Sequence, residues 1–434
     1  MGASWSKRPP HSAGLRSALR RWFRPAPMPV FAWLILALLL LPCALSFTVF
    51  GKNLSGWAWV GAYMVTAVTF AARGFSRGAM PLWFWMPWAV LVVAYMFGPH
   101  DYSVQNAAQM LCPLFVGYVA STFGLSSVHL EALALFMRRG ALIFLGILLF
   151  LRLPMLLIGI LPAVTGLAPE SISALFFQSF FLCLFILRRQ RTDLLLYLAC
   201  AAVPVVAVTR GPIAASFLLA TLCLAPLSMK RRCLIGALAV SIGLLVFYSG
   251  RFQDKMFRSG EGSVQDITQN SDDVQLSGRG MLQEMMLAGI REHPWTGNGG
   301  NATWTMLKDA RMELEQPHND WLRIIYNYGF LGLVLYLGAV LMQVWHTWRS
   351  ARYSPPLARI LFYSAASAFV PYAAIMYTDN VLIYAQFFGN LHFLMLGLAY
   401  GCLEAHRAKW MSDRARGIDP RHGLTRPNLQ PHGE

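Results

Sequence analysis

The chain alternates long apolar runs with short polar or basic stretches. A helix rises about 1.5 Å per residue and the hydrocarbon layer of a bilayer is about 30 Å thick, so a span needs about 20 apolar residues. Twelve runs approach or exceed that length, at 29–50, 54–72, 80–98, 105–122, 140–161, 171–188, 192–209, 212–229, 233–249, 323–345, 358–377 and 383–403. The fifth is interrupted by Arg152 and Pro154. The pattern predicts an all-α polytopic membrane protein with about 12 transmembrane helices. The first run is read as an uncleaved helix and not as a secretory signal, because eleven further spans follow it.

One polar segment, 250–321, breaks the series between spans nine and ten. Residues 251–275 read as irregular. Ser277 then opens a helix through Glu292, with Met281, Leu282, Met285, Leu287 and Ile290 as its apolar stripe. His293-Pro294 ends it. "WTGNGGN", 295–301, reads as a glycine-rich turn, and a second short helix is expected over 302–315, before Pro317. The insert is thus a helical cap. The expected organisation is a basic tail over 1–28, helices one to nine over 29–249, the loop domain over 250–321, helices ten to twelve over 322–404, and a second basic tail over 405–434. There is no internal repeat.

Composition agrees. The chain is 56% hydrophobic and 13% charged, against about 25% charged in soluble domains. Charge sets the orientation, since cytoplasmic loops are enriched in Lys and Arg. Lys7, Arg8, Arg16, Arg20, Arg21 and Arg24 put the N-terminal tail inside, and every second loop is then basic. Arg73 and Arg77, Arg138 and Arg139, Arg188 with Arg189 and Arg191, Lys230 with Arg231 and Arg232, and Arg349 with Arg352 and Arg359 mark these loops. The C-terminal tail, with Arg407, Lys409, Arg414 and Arg416, also falls inside. The 250–321 segment has a balance of −4 and the remainder +20, within a net charge of +16. The basic excess is therefore a topological signal and not a nucleic-acid footprint. All seven cysteines lie in or at the ends of apolar segments, so a disulfide framework or cysteine metal site is not expected. His293 and His318 have no partners at metal spacing, the "GNGGN" glycines follow no strand, and no Walker motif occurs. Asp272-Asp273 reads as a solvated turn, and "PLWFWMPW", 81–88, as an interfacial anchoring belt.

Three outer-side residues break the rule that helix starts favour anions over cations. Arg210 precedes Gly211 and Pro212, a helix-start signal; Arg279 lies in the first turn after Ser277; and His318 precedes Asn319, a good N-cap for span ten. Singly, each has an ordinary reading, as a snorkelling, salt-bridged or capping residue. Together, on one side of the membrane, they suit an anion bound at helix starts, which arginine's forked donors hold well. Arg152 within a span either snorkels at the outer end of a short helix or lines a polar cavity. Asn319 and Asp320 either orient His318 or cap span ten.

These motifs, in order, are "TRGP" around Arg210, "SGRG" around Arg279, "HPWTGNG" over 293–299 and "PHND" over 317–320. With twelve spans and a long outer loop before the last three, the chain resembles the O-antigen ligase and polymerase superfamily, most closely the bacterial O-antigen ligases. The resemblance implies a GT-C-type glycosyltransferase of the bacterial inner membrane, with its active site on the periplasmic face and both termini cytoplasmic. It implies an undecaprenyl-pyrophosphate-linked polysaccharide as donor and lipid A–core oligosaccharide as acceptor, with no cofactor and no metal. The family's pyrophosphate-binding arginines carry over to Arg210 and Arg279, and its loop histidine to His318 as catalytic base; Asn319, Asp320 and Arg152 are possible supporting residues. The alternatives are an O-antigen polymerase, a protein O-oligosaccharyltransferase and, from another class, a lipid-linked sugar transporter. A transporter is expected to carry its charges near the bilayer midplane.

Overall fold

The computed structural model describes residues 28–45, 48–49, 52–126, 129–159, 167–266, 279–312 and 316–416, with the side chains of 48–53 and of Arg279 outside that set. Residues 1–27 and 417–434 of the two tails, and Ser277 and the Asp272-Asp273 turn, lie outside the described residues.

The described chain is almost wholly helical. Its one ladder pairs β1 (Thr48–Val49) with β2 (Lys52–Asn53), antiparallel. The helices are α1 (Val30–Ala44), α2 (Leu54–Ala72), α3 (Met86–Tyr95), α4 (Ser103–Ala120) and α5 (Leu130–Ile147). A π-helical turn, Leu148–Arg152, leads from α5 into the short α6 (Leu153–Leu157). Then follow α7 (Ala168–Arg188), α8 (Arg191–Val206), α9 (Arg210–Leu222), α10 (Met229–Phe247) and α11 (Gly250–Met256). The cap helices are α12 (Arg279–Glu292) and α13 (Ala302–Asp309), and α14 (Asp320–Tyr353), α15 (Pro356–Ile375) and α16 (Gly389–Ala415) complete the series.

Each predicted run contains an apolar helix. Five are long and apolar enough to cross a membrane unaided: α2, α5 with its continuation to Leu157, α7, α14 and α15. The bent pair α10–α11 makes a sixth, and α1, α3 and α9 are shorter apolar helices. Length and composition thus support a polytopic membrane protein, with five or six crossing helices among the described residues where twelve were expected. α3 is only ten residues long, because it begins after the turn at 83–85.

α7 is the central helix. It is apolar nearly all round, its best span window is 89% buried, and it packs on α8, α9 and α15. α15 also packs on α14 and α16, and α16 lies along α4.

Several boundaries differ from expectation. α5 starts at Leu130, so Arg138 and Arg139 lie within a helix and not in a loop. Arg138 is accommodated there by Asp193 Oδ1 at 2.6 Å. Residues 250–256 form α11, bent by 74° from α10, where an irregular segment was expected. The buried stripe of α12 is Leu282, Met286 and Ile290, whereas Met281 and Leu287 are exposed. Leu282 and Ile290 of the expected stripe are buried, and Met286, four residues from each, joins them against Tyr326 of α14 in place of Met281 and Leu287. α13 stops at Asp309, well before Pro317, because Arg311 takes a left-handed backbone (φ 51°) that ends the helix. Three of the four aromatics of the belt are core: Phe84, Trp85 and Trp88 are buried, while Trp83 remains exposed. Trp85 donates to Gln343, which is why an interfacial aromatic sits inside.

The cap is joined to the bundle through a break in α14. At Gly329 the backbone leaves the helix (φ 67°, ψ −173°). The loop after α12 fills the gap: Phe330 N donates to Pro294 O at 2.8 Å, Asn298 N to Tyr326 O at 2.9 Å, and Gly299 N to Asn327 O at 3.0 Å. The broken helix thereby keeps its backbone groups satisfied. A Cβ on Gly297 (φ 71°) would lie 2.5 Å from the backbone of Asn327, Tyr328 and Gly329, so no larger residue fits. The α3–α4 turn clasps the same loop, with Tyr95 Oη donating to Thr296 O at 2.7 Å and Ser103 Oγ to Gly300 O at 2.7 Å.

Gly297→Ala is expected to destabilise the protein by about 2–5 kcal/mol, combining the left-handed backbone cost with overpacking. Gly146→Ala, with nothing within 4 Å of the added carbon, is the control and leaves the detergent melting temperature unchanged or higher.

Candidate functional site

The site lies where α14 begins. Pro317 and the left-handed backbone of His318 (φ 51°) turn the chain into Asn319, which is extended and accepts from Leu322 N at 3.0 Å through its side chain. Asn319 is therefore the N-cap of α14. A left-handed non-glycine residue is costly and is held here by its surroundings. His318 Nδ1 lies 3.2 Å from Asp379 Oδ1 and 3.3 Å from Asn380 Nδ2. One ring nitrogen cannot serve both at once. An ionised carboxylate only accepts, so Nδ1–H faces Asp379 and Nε2 keeps the lone pair. The two side chains are 31% and 21% exposed, so the pair is open to a substrate.

Behind His318 is a buried ionic clamp. Asp320 N donates to Met376 O at 2.7 Å, and Leu382 N donates to Asp320 Oδ2 at 2.8 Å. One residue thus grips both ends of the turn that carries Asp379 and Asn380. Arg323 Nη1 lies 3.6 Å from Asp320 Oδ1, both side chains being shut from solvent. Arg323 Nη2 reaches Asn106 Oδ1 on α4, and Asn106 Nδ2 donates to Tyr328 at 3.4 Å. Asp320 acts on His318 through this turn.

Arg210 begins α9 against the same turn. A Cβ on Gly211 would lie 2.1 Å from Thr378 Oγ1, and Thr378 is the neighbour of Asp379. Arg210 Nη1 is 3.4 Å from Met256 Sδ on α11. The Lys255 ammonium beside it is held below its usual range by burial and then by the Arg210 guanidinium. Arg279 is the first residue of α12, and its side chain lies outside the described residues. Arg152 closes a buried ion pair with Glu170 at 2.7 Å, joining the π-helical turn to α7, so its charge is neutralised within the bundle.

Structure therefore brings Arg210 and His318 to one turn. Asp379, Asn380, Lys255, Arg323 and Asn106 were missed in the sequence. A lone carboxylate in the short outer stretch "YTDN", 377–380, was the legible signal for Asp379. Arg323 and Asn106 look like ordinary residues near helix starts, and only tertiary contact links them.

These features define a polytopic helical membrane protein with a histidine–carboxylate pair and a cation pair at one end of its bundle. Residues 194–337, about a third of the chain, match the family model described as O-antigen ligase, and this match supports an assignment to the O-antigen ligase and polymerase family. The matched stretch contains Arg210, Lys255, Arg279, His318 and Arg323. No curated protein matches the chain.

Asp320→Ala leaves Arg323 buried without its counter-charge, so a loss of about 3–5 kcal/mol is expected. Asp413→Ala, which removes an exposed pair with Arg416, changes stability by less than about 1 kcal/mol. Thermal melts in detergent compare the two.

Proposed function

We propose that the protein is an inverting, metal-independent glycosyltransferase of GT-C type. It moves O-antigen polysaccharide from undecaprenyl pyrophosphate to lipid A–core oligosaccharide, on the periplasmic face of the bacterial inner membrane, with both termini cytoplasmic. The observation that carries this reading is the His318–Asp379 pair on the turn against which Arg210 begins α9, in a helical bundle whose residues 194–337 match the O-antigen ligase family model.

The chemistry follows from the groups. The acceptor hydroxyl oxygen attacks the anomeric carbon of the donor. The bond from that carbon to the pyrophosphate oxygen breaks, and undecaprenyl pyrophosphate leaves with the electron pair. His318 Nε2 takes the hydroxyl proton, while Asp379 holds the imidazolium that forms; general base catalysis of this kind contributes about 10²–10⁴-fold. Arg210 and Lys255 stabilise the growing charge on the leaving group, with Arg279 as a third cation on the cap. One displacement from the face opposite the leaving group inverts the anomeric centre. Cations and a base together supply charge stabilisation and proton transfer, so the reading needs no metal. Asn319 caps α14, Asp320 positions the turn behind the base, and Arg152 supports the bundle through Glu170.

The test is a lipopolysaccharide gel from a strain lacking the protein. Core without O-antigen, with long chains accumulating on the lipid carrier, is expected. Core bearing one repeat unit indicates a polymerase instead, and an unchanged profile overturns both. In complementation, His318→Ala loses about 10²–10⁴-fold of transfer. Arg210→Ala loses about 10–100-fold, the worth of a hydrogen bond to a charged group. Both variants are expected to reach the membrane in normal amounts.

A further inference from the structure

A second charged site lies at the other end of the bundle. α14 and α16 both begin near the His318 turn and run away from it, so residues 345–353 and 403–410 lie together at the far end. There they enclose an open groove of about 620 Å³. Arg349, Arg407, His346 and His406 line it, with Trp345 and Trp410 at its sides, and no carboxylate is among the lining residues. Glu404, exposed and outside the lining, has its Oε2 3.9 Å from Arg407 Nη1. That pair is too long and too exposed to neutralise the groove.

The floor is built and not accidental. Trp85 Nε1 donates to Gln343 Oε1 at 3.1 Å, and Gln343 Nε2 donates to Tyr400 Oη at 2.9 Å. Tyr400 has its hydroxyl proton left for His346 Nδ1, 2.6 Å away. With the Tyr400 proton on this bond, Nδ1 accepts and Nε2 carries the ring proton. His346 therefore presents a hydrogen-bond donor to the groove it lines. Its ring is also held by stacking on Tyr400, centroid to centroid 5.6 Å.

We infer that this groove binds the head group of an anionic phospholipid from the leaflet opposite the His318 site. Two guanidinium groups and a fixed imidazole N–H suit a phosphodiester. Exposed Trp345, Tyr353 and Trp410 (58%, 82% and 43%) suit the boundary between head groups and acyl chains, where such rings collect. Basic pockets between membrane helices take lipid head groups by this means. The lipid source is favoured over a soluble anion because the groove opens at the end of α14, a helix long and apolar enough to cross a membrane, and has aromatic sides. The site is separate from the proposed transfer chemistry and stands or falls without it.

The test is native mass spectrometry of the full chain, released from detergent with dioleoyl phosphatidylglycerol or dioleoyl phosphatidylethanolamine added. Wild type is expected to retain phosphatidylglycerol at least fivefold more than phosphatidylethanolamine. The double variant Arg349→Ala/Arg407→Ala loses that preference, and Arg349→Lys/Arg407→Lys keeps much of it. Both arginines are exposed, so the variants are expected to melt with wild type when no lipid is added. Lys409→Ala/Arg414→Ala, which removes cations of α16 outside the groove, leaves the preference intact. Equal retention by wild type and the groove variant overturns the inference. Stabilisation by inorganic phosphate equal to that by phosphatidylglycerol overturns the lipid assignment in favour of a soluble anion.

Discussion

The ion pair of Asp320 and Arg323, shut from solvent at the head of α14, is the constraint on which the candidate site depends. Burying two charges is expensive, and a pair is retained only where geometry and further hydrogen bonds offset desolvation. Here the carboxylate grips the 376–382 turn from both sides and the guanidinium reaches α4 through Asn106. Three segments far apart in sequence are thereby locked to one helix start. His318, two residues before Asp320, inherits its position from that lock. So does Asp379, which is carried by the gripped turn.

The break at Gly329 solves a related problem. A helix that departs from regular geometry exposes peptide groups that hydrocarbon cannot satisfy. The loop of residues 294–299 supplies the missing partners, and the α3–α4 turn holds that loop in place. Cap and bundle are consequently one mechanical unit. The cap's own small core, Leu282, Met286 and Ile290 against Tyr326, adds an apolar contact on the same helix. A candidate cation on the cap, Arg279, is therefore tied to the helix that carries His318.

Cations play different parts in the bundle. Arg138 with Asp193, and Arg188 with Glu131, are ion pairs that hold helices together. Arg210 beside Lys255 is a like-charge pair, which stability alone does not reward. The groove of Arg349 and Arg407 is likewise cationic without a carboxylate in its lining.

Legible in the chain alone were its helical, membrane-protein character, the apolar segments that hold helices, the short helices of the polar insert before Asp320, and the chemical identity of Arg210, Arg279 and His318. These are properties of local composition and periodicity, readable wherever an apolar run or a helix-start signal is long or specific enough. Its limits are equally physical. The face that α12 buries, the start of α5 at Leu130 and the core role of Trp85 and Trp88 depended on partners elsewhere in the chain. Only the tertiary structure decided that Asp379, 61 residues from His318, is its hydrogen-bond partner. Only it showed that Asp320 works through a turn and that Arg152 is paired with Glu170. Buried polar groups choose partners by distance and geometry in three dimensions, and no periodicity along the chain encodes that choice.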